Sequence, residues 1–560
     1  MSFTQSIFSL DDIQVDAVAL MGDHSQNDRG GIYTKLEVVE FILDLVGYDE
    51  TADLAAFRIV EPSCGAGDFL IPIVERLLKS ASRNGIPFSE LTACIRAVEI
   101  GAAPLAEARE KVEGTLTGFG ASVSEIKSLC TAWFCRADFL MAPFPIGFTH
   151  VVGNPPYIRQ EDLPGQLLNL YRCRFTTMYD RADLYVAFFE RALGLLEVGG
   201  KLGFICSDRW MKNKYGGPLR ELVSSHFHLE AHIDFTGCPA FLSDVVAYPA
   251  VTIISRTRGT ETATAYRPEI SAASLTALVP ALRKSSEHPD VVVANRVASG
   301  TEPWILENFP RLAVVRKIEG KFPAISETGC KIGIGVATGA DRVYIGSAEQ
   351  IDVEEAARLP LAMTSDISEG TLHWKGKYVL NPFRDDGALL DLESNPKLAR
   401  YLQAHKLAIL ARNVARKNPS KWYRTIDRIY PALTGEAKLL IPDIKGSANV
   451  VLDEGNYYPH HNLYFITSSE WDIRALQTIL LSSVTQAFIA TYSLKMRGDC
   501  LRFQSQYLRR LRLPLWNDVD PSLQRRLIAA AKNRDSAEID ALARETYGLN
   551  QKDWNALVSP

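Results

Sequence analysis

The sequence contains no long hydrophobic run and no regular spacing of cysteines. None of its apolar stretches reaches the roughly 20 residues that a membrane-spanning helix needs, and the amino-terminal stretch lacks a basic segment followed by an apolar one. We therefore expect neither membrane insertion nor secretion, and a cytoplasmic location. The nine cysteines are an odd number scattered along the chain, which indicates reduced thiols and excludes a disulfide-rich secreted domain.

A strong excess of charge of either sign is also missing. The net charge is -5, and 47% hydrophobic residues with 23% charged residues are typical of a globular protein rather than a disordered or low-complexity one. Because 560 residues are too many for a single hydrophobic core, we expect two main domains.

A glycine-rich turn follows a buried, strand-like stretch in the segment Arg58–Leu70. Gly65 and Gly67 let the backbone pass close to a ligand, and an apolar helix follows to about Lys79. Because the turn carries no basic residue, it suits an uncharged or zwitterionic group better than a pyrophosphate. S-adenosylmethionine meets that requirement.

Acidic residues end the next two strand-like segments. Glu99 follows the glycine turn by about thirty residues and can accept hydrogen bonds from both hydroxyls of a ribose. Asp138 and Phe139 end a further segment, where the carboxylate can bind an adenine amino group and the ring can cover the base. The order of these segments predicts an α/β fold with one doubly wound, Rossmann-like sheet and a ligand along the carboxyl ends of its strands.

The four residues Asn154, Pro155, Pro156 and Tyr157 follow the strand-like stretch Thr149–Gly153. A planar amino group is a poor nucleophile while its lone pair is delocalised. The Asn154 Oδ1 and the Pro155 carbonyl can accept its two hydrogens, and Tyr157 offers a flat face to a base. Although Pro-Pro after a strand is more often a plain turn, the preceding motifs favour these four as catalytic residues for methyl transfer to an exocyclic nitrogen.

In this order, the motifs resemble the gamma class of DNA adenine-N6 methyltransferases, the TaqI type. Gly31–Phe41 resembles the segment in which a threonine closes over the methionine part of the cofactor, and Asp183–Glu190 resembles a helix whose aromatic side chain packs on the cofactor adenine. Gly199–Ile205 resembles the turn and strand that follow. The resemblance implies an S-adenosylmethionine site formed by Tyr33, Thr34, Glu61, Pro62, Ser63, Gly65, Gly67, Asp68, Glu99, Ile100, Asp138, Phe139, Asn154, Pro156 and Phe188.

The resemblance also implies an aromatic side chain that stacks on an extruded base opposite Tyr157. Phe241, in the segment Cys238–Asp244, matches this position, and Tyr248 is the competing candidate. For Phe241, a place in the hydrophobic core is an equally good interpretation.

The second half of the chain resembles a TaqI-type target-recognition domain, which is mostly β (mixed α+β). The segments that carry this resemblance are Lys331–Ile345, Lys438–Ile444 and Leu501–Leu508, and residues 401–450 hold nine Lys or Arg against three Asp or Glu. A second basic cluster consists of Lys495, Arg497, Arg502, Arg509, Arg510 and Arg512. Basic clusters are usually solvated helix faces, but two of them beside a catalytic domain predict contacts with DNA phosphates. The candidate contacts are Arg412, Arg416, Lys417, Lys421, Arg424, Arg497 and Arg502.

The predicted division of the chain follows from these changes in character. Residues 1–255 form the methyltransferase catalytic domain and 256–300 a connecting segment, while 301–520 form the target-recognition domain and 521–560 a helical tail that packs on it.

The function implied is a site-specific DNA methyltransferase that moves a methyl group from S-adenosylmethionine to N6 of a flipped adenine in duplex DNA. Such an enzyme serves as the modification enzyme of a prokaryotic restriction-modification or defence system. Its expected partners are double-stranded DNA and a separate restriction endonuclease acting on the same site, whereas no metal ion is required for methyl transfer.

Two alternative functions stay open. One is a bifunctional restriction-modification enzyme, for which the nuclease pattern would be Asp427 with Glu436–Lys438. The other is a methyltransferase that acts on a planar amine in RNA or protein. A chain that only recognises DNA is disfavoured because every cofactor and clamp position holds a competent residue.

Overall fold

The chain divides into two units, Met1–Glu307 and Asn308–Pro560. The computed structural model describes residues 32–242, 249–445, 449–493 and 501–558. Each unit contains its own sheets and its own buried hydrophobic clusters.

A nine-stranded sheet forms the centre of the first unit. Its strands are β1 (Ile59–Glu61), β2 (Ile95–Glu99), β3 (Phe134–Arg136), β4 (Phe148–Gly153), β5 (Leu196–Ser207), β6 (His228–Asp234), β7 (Pro249–Ser255), β8 (Glu261–Tyr266) and β9 (Val291–Asn295). They lie side by side in the order β3-β2-β1-β4-β5-β7-β6-β8-β9. The first five of this order are mutually parallel, β7 runs antiparallel to both its neighbours, and β9 runs antiparallel to β8.

Helices cover both faces of this sheet. They are α1 (Leu36–Val46), α2 (Leu70–Asn84), α3 (Ala102–Gly118), α4 (Val123–Trp133), α5 (Gly165–Arg174), α6 (Tyr185–Leu195), α7 (Arg209–Lys212), α8 (Gly217–His226) and α9 (Ala272–Leu282). Successive strand residues point to opposite faces, so Ile59 joins the cluster under α1, α2 and α9 while Val60 joins the one under α5, α6 and α8. The fold is the doubly wound α/β sheet that the sequence predicts.

The strand order reverses between β1 and β4. From β1 the chain continues outwards to β2 and β3, and from β4 it continues in the other direction to β5. The carboxyl ends of β1 and β4, at Glu61 and Gly153, therefore open at one edge with no crossover above them. In open α/β sheets this switch point is where ligands bind.

The segment 256–300 is not the connecting segment that the sequence predicts. It contributes β8, β9 and α9 to the first unit, with β8 pairing parallel to β6 and Thr262 Oγ1 donating a hydrogen bond to Leu229 O at 2.9 Å. Residues 262–265 of β8 are Thr and Ala, a composition that resembles a loop, yet they are buried. The boundary between the units lies at Glu307 instead.

The second unit is mixed α+β with small sheets. Its strands are β10 (Cys330–Ile334), β11 (Ile345–Gly346), β12 (Arg358–Ala362), β13 (Ile367–Ser368), β14 (Thr371–Leu372), β15 (Tyr378–Leu380), β16 (Lys438–Pro442), β17 (Ile444–Lys445), β18 (Val451–Asp453), β19 (Tyr458–Pro459), β20 (Leu463–Ser468) and β21 (Leu501–Arg502). Two four-stranded sheets have the orders β10-β20-β16-β18 and β11-β15-β12-β19, and β13-β14 and β17-β21 form two-stranded ones.

The helices of the second unit lie mainly towards its carboxyl end. They are α10 (Phe309–Lys321), α11 (Asp341–Tyr344), α12 (Pro396–Ala404), α13 (Lys406–Leu410), α14 (Asn413–Lys417), α15 (Ile473–Leu481), α16 (Ser483–Tyr492), α17 (Ser505–Leu508), α18 (Pro521–Asn533), α19 (Ser536–Tyr547) and α20 (Gln551–Val558). The last three, which form the predicted tail, pack within this unit: Thr478 Oγ1 in α15 donates to Leu527 O in α18 at 2.8 Å.

Among the described residues, no single helix is both long and apolar enough to cross a membrane. Helices α15 and α16 meet the criteria of length and composition only as a pair, and they are bent by 62° at the break between them. The eight cysteines in the described part of the chain are unpaired, as the sequence predicts.

Candidate active site

A cavity opens at the carboxyl ends of β1, β2 and β4, beside the switch point of the sheet. Its lining comes from chain segments that are far apart in sequence and meet because parallel strands end at one edge. Every predicted cofactor residue except Gly67 lines it, namely Tyr33, Thr34, Glu61, Pro62, Ser63, Gly65, Asp68, Glu99, Ile100, Asp138, Phe139, Asn154, Pro156 and Phe188.

The turn after β1 has left-handed backbone at both of its glycines. The φ angle is +51° at Gly65 and +98° at Gly67, values that favour glycine. A Cβ at Gly65 would meet nothing within 4 Å, so this backbone borders open space. A Cβ at Gly67 would lie 3.5 Å from Ala108 Cβ in α3. Gly67, a predicted cofactor residue, does not line the cavity and lies against α3.

Glu99 fixes this turn from the neighbouring strand. Its Oε2 accepts a hydrogen bond from Gly65 N at 3.0 Å, and its Oε1 accepts one from Gly101 N at 2.7 Å. These bonds orient the carboxylate at the end of β2. Each carboxylate oxygen can accept a second hydrogen bond, so hydroxyl donors such as those of a ribose can still be bound.

Glu61, at the end of β1, is 2% exposed, and no described residue donates a hydrogen bond to its Oε2. Burial raises the pKa of this carboxyl well above its usual value, and the negative charges of Asp68 and Glu99 raise it further. An ionised carboxylate here costs free energy unless a cationic group lies beside it. The cavity is therefore suited to a ligand that carries positive charge.

Asp138 is held by two donors at the far end of the cavity. Its Oδ1 accepts a hydrogen bond from Leu140 N and its Oδ2 one from Tyr171 Oη, each at 2.9 Å. Burial raises the pKa of both Asp138 and Tyr171. Sequence reasoning missed Tyr171, because it lies in α5, beyond the clamp, and no motif marks it.

The two aromatic residues predicted to cover an adenine lie together. The rings of Phe139 and Phe188 are nearly parallel, with an interplanar angle of 27° and centroids 5.4 Å apart. They form a continuous apolar wall beside Asp138.

Asn154 is oriented by hydrogen bonds on one side only. Its Nδ2 donates to Ile32 O at 2.9 Å and to Thr34 Oγ1 at 3.2 Å, and its own carbonyl accepts a bond from Ser63 Oγ at 3.1 Å. The Oδ1 is buried, and nothing in the described part of the chain donates to it. Since the amide nitrogen is fixed by two acceptors, the Oδ1 is presented as an unused acceptor.

Tyr157 and Phe241 lie side by side. Their ring centroids are 6.2 Å apart and the rings are almost perpendicular, at 82°. A short backbone pairing brings Phe241 here, since Leu242 N donates to Tyr33 O at 3.0 Å and Lys35 N to Ala240 O at 3.1 Å. The two predicted stacking residues therefore meet, but as an edge-to-face pair and not as two parallel plates. Tyr248, the competing candidate, lies outside the described residues.

The comparisons with known proteins cover both halves of the chain. Residues 124–241 match the family described as Eco57I restriction-modification methylase, and residues 394–515 match the TaqI-like C-terminal specificity domain. Over 543 residues the chain is 51% identical to Type II methyltransferase M.XhoI of Xanthomonas vasicola, covering 95% of this chain and 100% of the relative. This chain belongs to the Type II methyltransferases of restriction-modification.

Other relatives support the assignment of this chain to the Type II methyltransferases. M.PaeR7I of Pseudomonas aeruginosa is 50% identical over 545 residues, with 96% of this chain and 95% of the relative covered. Among solved structures, the Type IIL restriction-modification enzyme MmeI in complex with DNA has a TM-score of 0.60 at 13% identity, covering 92% of this chain and 75% of that one. At that identity the likeness shows the shared fold.

In the specificity domain of this methyltransferase, three of the predicted DNA contacts are exposed: Arg416, Lys417 and Lys421. Arg424 is half-buried and its Nε donates to Thr425 O at 3.2 Å, while Arg502 forms an ion pair with Asp443. Arg497 lies outside the described residues.

Arg412 does not fit the prediction that it contacts DNA. It is 9% exposed, and its guanidinium donates to Ile409 O at 3.1 Å, to Thr338 O at 2.8 Å and to both Tyr344 Oη and Trp422 O at 3.1 Å. A guanidinium that is buried and bonded to this extent supports the domain from inside and is not available to a phosphate.

The candidate nuclease pattern of Asp427 with Glu436–Lys438 is not supported in this methyltransferase. Lys438 is fully buried, its Nζ lies 2.7 Å from Asp453 Oδ2, and it also donates to the carbonyls of Leu433 and Glu436. Asp427 accepts a hydrogen bond from Ala337 N through its Oδ2. The side chains of Asp427 and Lys438 therefore hold local structure.

Proposed function

We propose that this Type II methyltransferase transfers a methyl group from S-adenosylmethionine to N6 of an adenine that is rotated out of duplex DNA. The observation that carries the proposal is the buried Asn154 Oδ1, an acceptor without a donor among the described residues, at the edge of the cavity. A buried acceptor left unpaired costs free energy, and an incoming amino group would satisfy it.

The cavity fits the cofactor in its charge and in its donor and acceptor groups. The buried Glu61 suits the positive charge of a sulfonium or an ammonium, the ordered Glu99 suits a ribose, and Asp138 beside the wall of Phe139 and Phe188 suits an adenine. When bound, S-adenosylmethionine supplies an electrophilic methyl group on positively charged sulfur.

The clamp residues then prepare the amine for attack. Asn154 Oδ1 and the Pro155 carbonyl accept hydrogen bonds from its two N–H groups, which draws the nitrogen lone pair out of conjugation with the ring. Tyr157 and Phe241 supply aromatic surface that offsets the cost of leaving the base stack, a few kcal/mol. The N–C bond would form as the S–C bond breaks with its electron pair left on sulfur, and the surplus proton on nitrogen would pass to water. Catalysis is then mainly orientation and electrostatic complementarity, without a strong base.

The proposed partners are duplex DNA and a separate restriction endonuclease that acts on the same site. MmeI was solved in complex with DNA, and the exposed Arg416, Lys417 and Lys421 are positioned in the TaqI-like region where phosphate contacts are expected. No metal ion takes part in the proposed methyl transfer.

The direct test is to identify the methylated base. The chain is expressed in a host that lacks adenine methylation, its DNA is digested to nucleosides for mass spectrometry, and modified positions are mapped by single-molecule sequencing. We expect N6-methyladenine at one short sequence motif, and none in a host that carries Asn154→Ala. Methylcytosine, or methyl groups found only in RNA or protein, would overturn the proposal.

A further inference from the structure

Three potential metal ligands converge in the second unit. Asp341 is the first residue of α11, and His460 and His461 follow β19. Each residue offers one ligand atom, and these three atoms all lie within 4.8 Å of one another. Because Asp341 and His460 are 119 residues apart, sequence spacing gives no sign of the cluster.

Both histidines carry a buried nitrogen that the rest of the domain does not use. His460 is 3% exposed, and neither its Nδ1 nor the Nδ1 of His461 has a hydrogen-bond partner within the described ranges. His460 Nε2 lies 3.4 Å from Asp341 Oδ2. A hydrogen bond between these two atoms satisfies that contact but leaves His461 Nδ1 unpaired, which buried polar groups rarely are.

Side chains of consecutive residues in a strand normally point to opposite faces, but the rings of His460 and His461 lie close together. The chain turns directly after His460, with Leu463 N donating to His460 O at 2.8 Å. The two ring centroids are consequently 4.0 Å apart. The backbone is anchored on both sides of the pair, since His460 N donates to Ala362 O at 3.0 Å and His461 N to Val336 O at 3.1 Å.

Asp341 is also oriented in advance. The Thr338 hydroxyl donates to its Oδ1, which leaves Oδ2 turned towards His460. Thr338 O is in turn held by the buried Arg412, and Asp427 holds Ala337 N at 2.9 Å. A carboxylate fixed by a hydrogen bond to its second oxygen is the usual arrangement for a metal ligand.

We propose that Asp341, His460 and His461 bind one divalent transition-metal ion of the zinc type. Two imidazole nitrogens with one carboxylate oxygen suit Zn²⁺, Co²⁺ or Ni²⁺, whereas Mg²⁺ and Ca²⁺ prefer oxygen ligands alone. The ion ties the loop that precedes α11 to the turn after β19.

The test uses the full-length chain without a histidine tag, stripped with a chelator and titrated with Zn²⁺ by calorimetry. Co²⁺ is added in a parallel experiment, because its visible absorption reports nitrogen and oxygen ligands. We expect one Zn²⁺ per chain with a dissociation constant in the micromolar range or tighter. Asp341→Asn and His461→Gln should each weaken binding about tenfold or more and reduce the Co²⁺ absorption.

His373→Gln is the matched control, because His373 is exposed and distant in sequence from the cluster. It should bind Zn²⁺ like the wild type. Asp341 is exposed and His461 half-buried, so both test variants are expected to fold, which circular dichroism verifies. The proposal is overturned if the wild type binds no Zn²⁺, or if Asp341→Asn and His461→Gln bind it as tightly as the wild type does.

Discussion

At the scale of single residues, the site is built from side chains that are fixed on one side and open on the other. Asn154 has both amide hydrogens bonded and its oxygen unused by the described residues, and Asp138 is held by Leu140 N and Tyr171 Oη. A side chain held on one side is pre-organised for a ligand, because it already has its binding orientation and does not have to move when the ligand binds.

Tyr171 is a positioning residue in this arrangement. Tyr171→Phe removes one hydrogen bond to Asp138, worth about 1 kcal/mol net, so we expect the dissociation constant for S-adenosylmethionine to rise about fivefold. The rate constant for methyl transfer at saturating cofactor should stay within about twofold of wild type, because the Tyr171 hydroxyl bonds Asp138 and not a clamp residue. Calorimetry and single-turnover kinetics separate the two effects.

Tyr185→Phe is the control for that change. Tyr185 Oη also forms a buried hydrogen bond, to Tyr215 Oη at 2.9 Å, but Tyr185 does not line the cavity. An equal loss of cofactor affinity in both variants would show that the effect of Tyr171→Phe is general destabilisation.

His150, in β4, makes the stability of the first unit dependent on pH. Burial lowers its pKa from 6.5 to about 4, while both ring nitrogens lie within hydrogen-bond distance of Thr149 Oγ1 and Val46 O. A histidine with a depressed pKa contributes its full stability above about pH 6.5 and loses it as pH falls towards 4, because the unfolded chain takes up the proton first.

For His150 we expect the free energy of unfolding to fall by roughly 2 kcal/mol more in the wild type than in His150→Gln when pH drops from 7.5 to 5. Urea unfolding at the two pH values measures the difference. An identical pH dependence in the two proteins would contradict the assigned protonation state.

At the scale of elements, sequence patterns that repeat along a strand or helix predicted the fold better than irregular patterns did. The doubly wound sheet, the glycine turn and the clamp at the end of β4 were predicted from the sequence, and the cavity gathers nearly all the predicted cofactor residues. The place of strand β8 in the catalytic sheet escaped prediction, because Thr and Ala are compatible with either a loop or a strand and the pairing with β6 is a long-range contact.

Side-chain roles in the second unit were harder to predict from sequence. Arg412 looks like any basic residue of its cluster, and only tertiary packing places it inside the domain. In the first unit, Tyr171 likewise reaches Asp138 across a separation of 33 residues, which no local pattern reveals. Long-range contacts of this kind depend on how elements pack, and single-sequence periodicity does not contain that information.

The packing of α1 on β5 depends on Gly203, which has no side chain. A Cβ at Gly203 would lie 2.7 Å from Val46 Cγ1 and 2.9 Å from Ile42 Cγ2, both buried in α1. Gly203→Ala should therefore lower the free energy of unfolding by about 1–3 kcal/mol through overpacking.

Gly194→Ala is the control in α6, where an added Cβ meets nothing within 4 Å and alanine favours the helix. Urea unfolding of both variants gives the comparison. The account of this interface would be wrong if Gly203→Ala were as stable as Gly194→Ala.

At the scale of the whole molecule, the chain is acidic while the proposed ligand, DNA, is a polyanion. Because the net charge is -5, DNA binding must depend on where the basic side chains lie. Among the predicted DNA contacts in the specificity domain, the exposed ones are Arg416, Lys417 and Lys421. Each phosphate that a basic side chain neutralises releases counterions, so affinity must fall with salt in proportion to the number of neutralised phosphates.

Arg416→Gln, Lys417→Gln and Lys421→Gln combined should weaken DNA binding and reduce the slope of log Kd against log salt by about 1 for each phosphate that is no longer neutralised. Fluorescence anisotropy over a salt series measures both. A triple change at exposed basic residues elsewhere, Arg83→Gln, Lys127→Gln and Lys532→Gln, should leave the slope unchanged. Equal slopes in the two triple variants would remove these three residues from the proposed DNA surface.

The central claim is that the unused Oδ1 of Asn154 holds the amino group that is methylated. Asn154→Ala should lower the single-turnover rate constant about 100- to 1,000-fold at saturating DNA and cofactor, with cofactor affinity within about threefold of wild type. Tyr157→Phe should remain near wild type, because the hydroxyl of Tyr157 has no partner among the described residues. Methyl transfer by Asn154→Ala at a rate close to that of the wild type would contradict the claim.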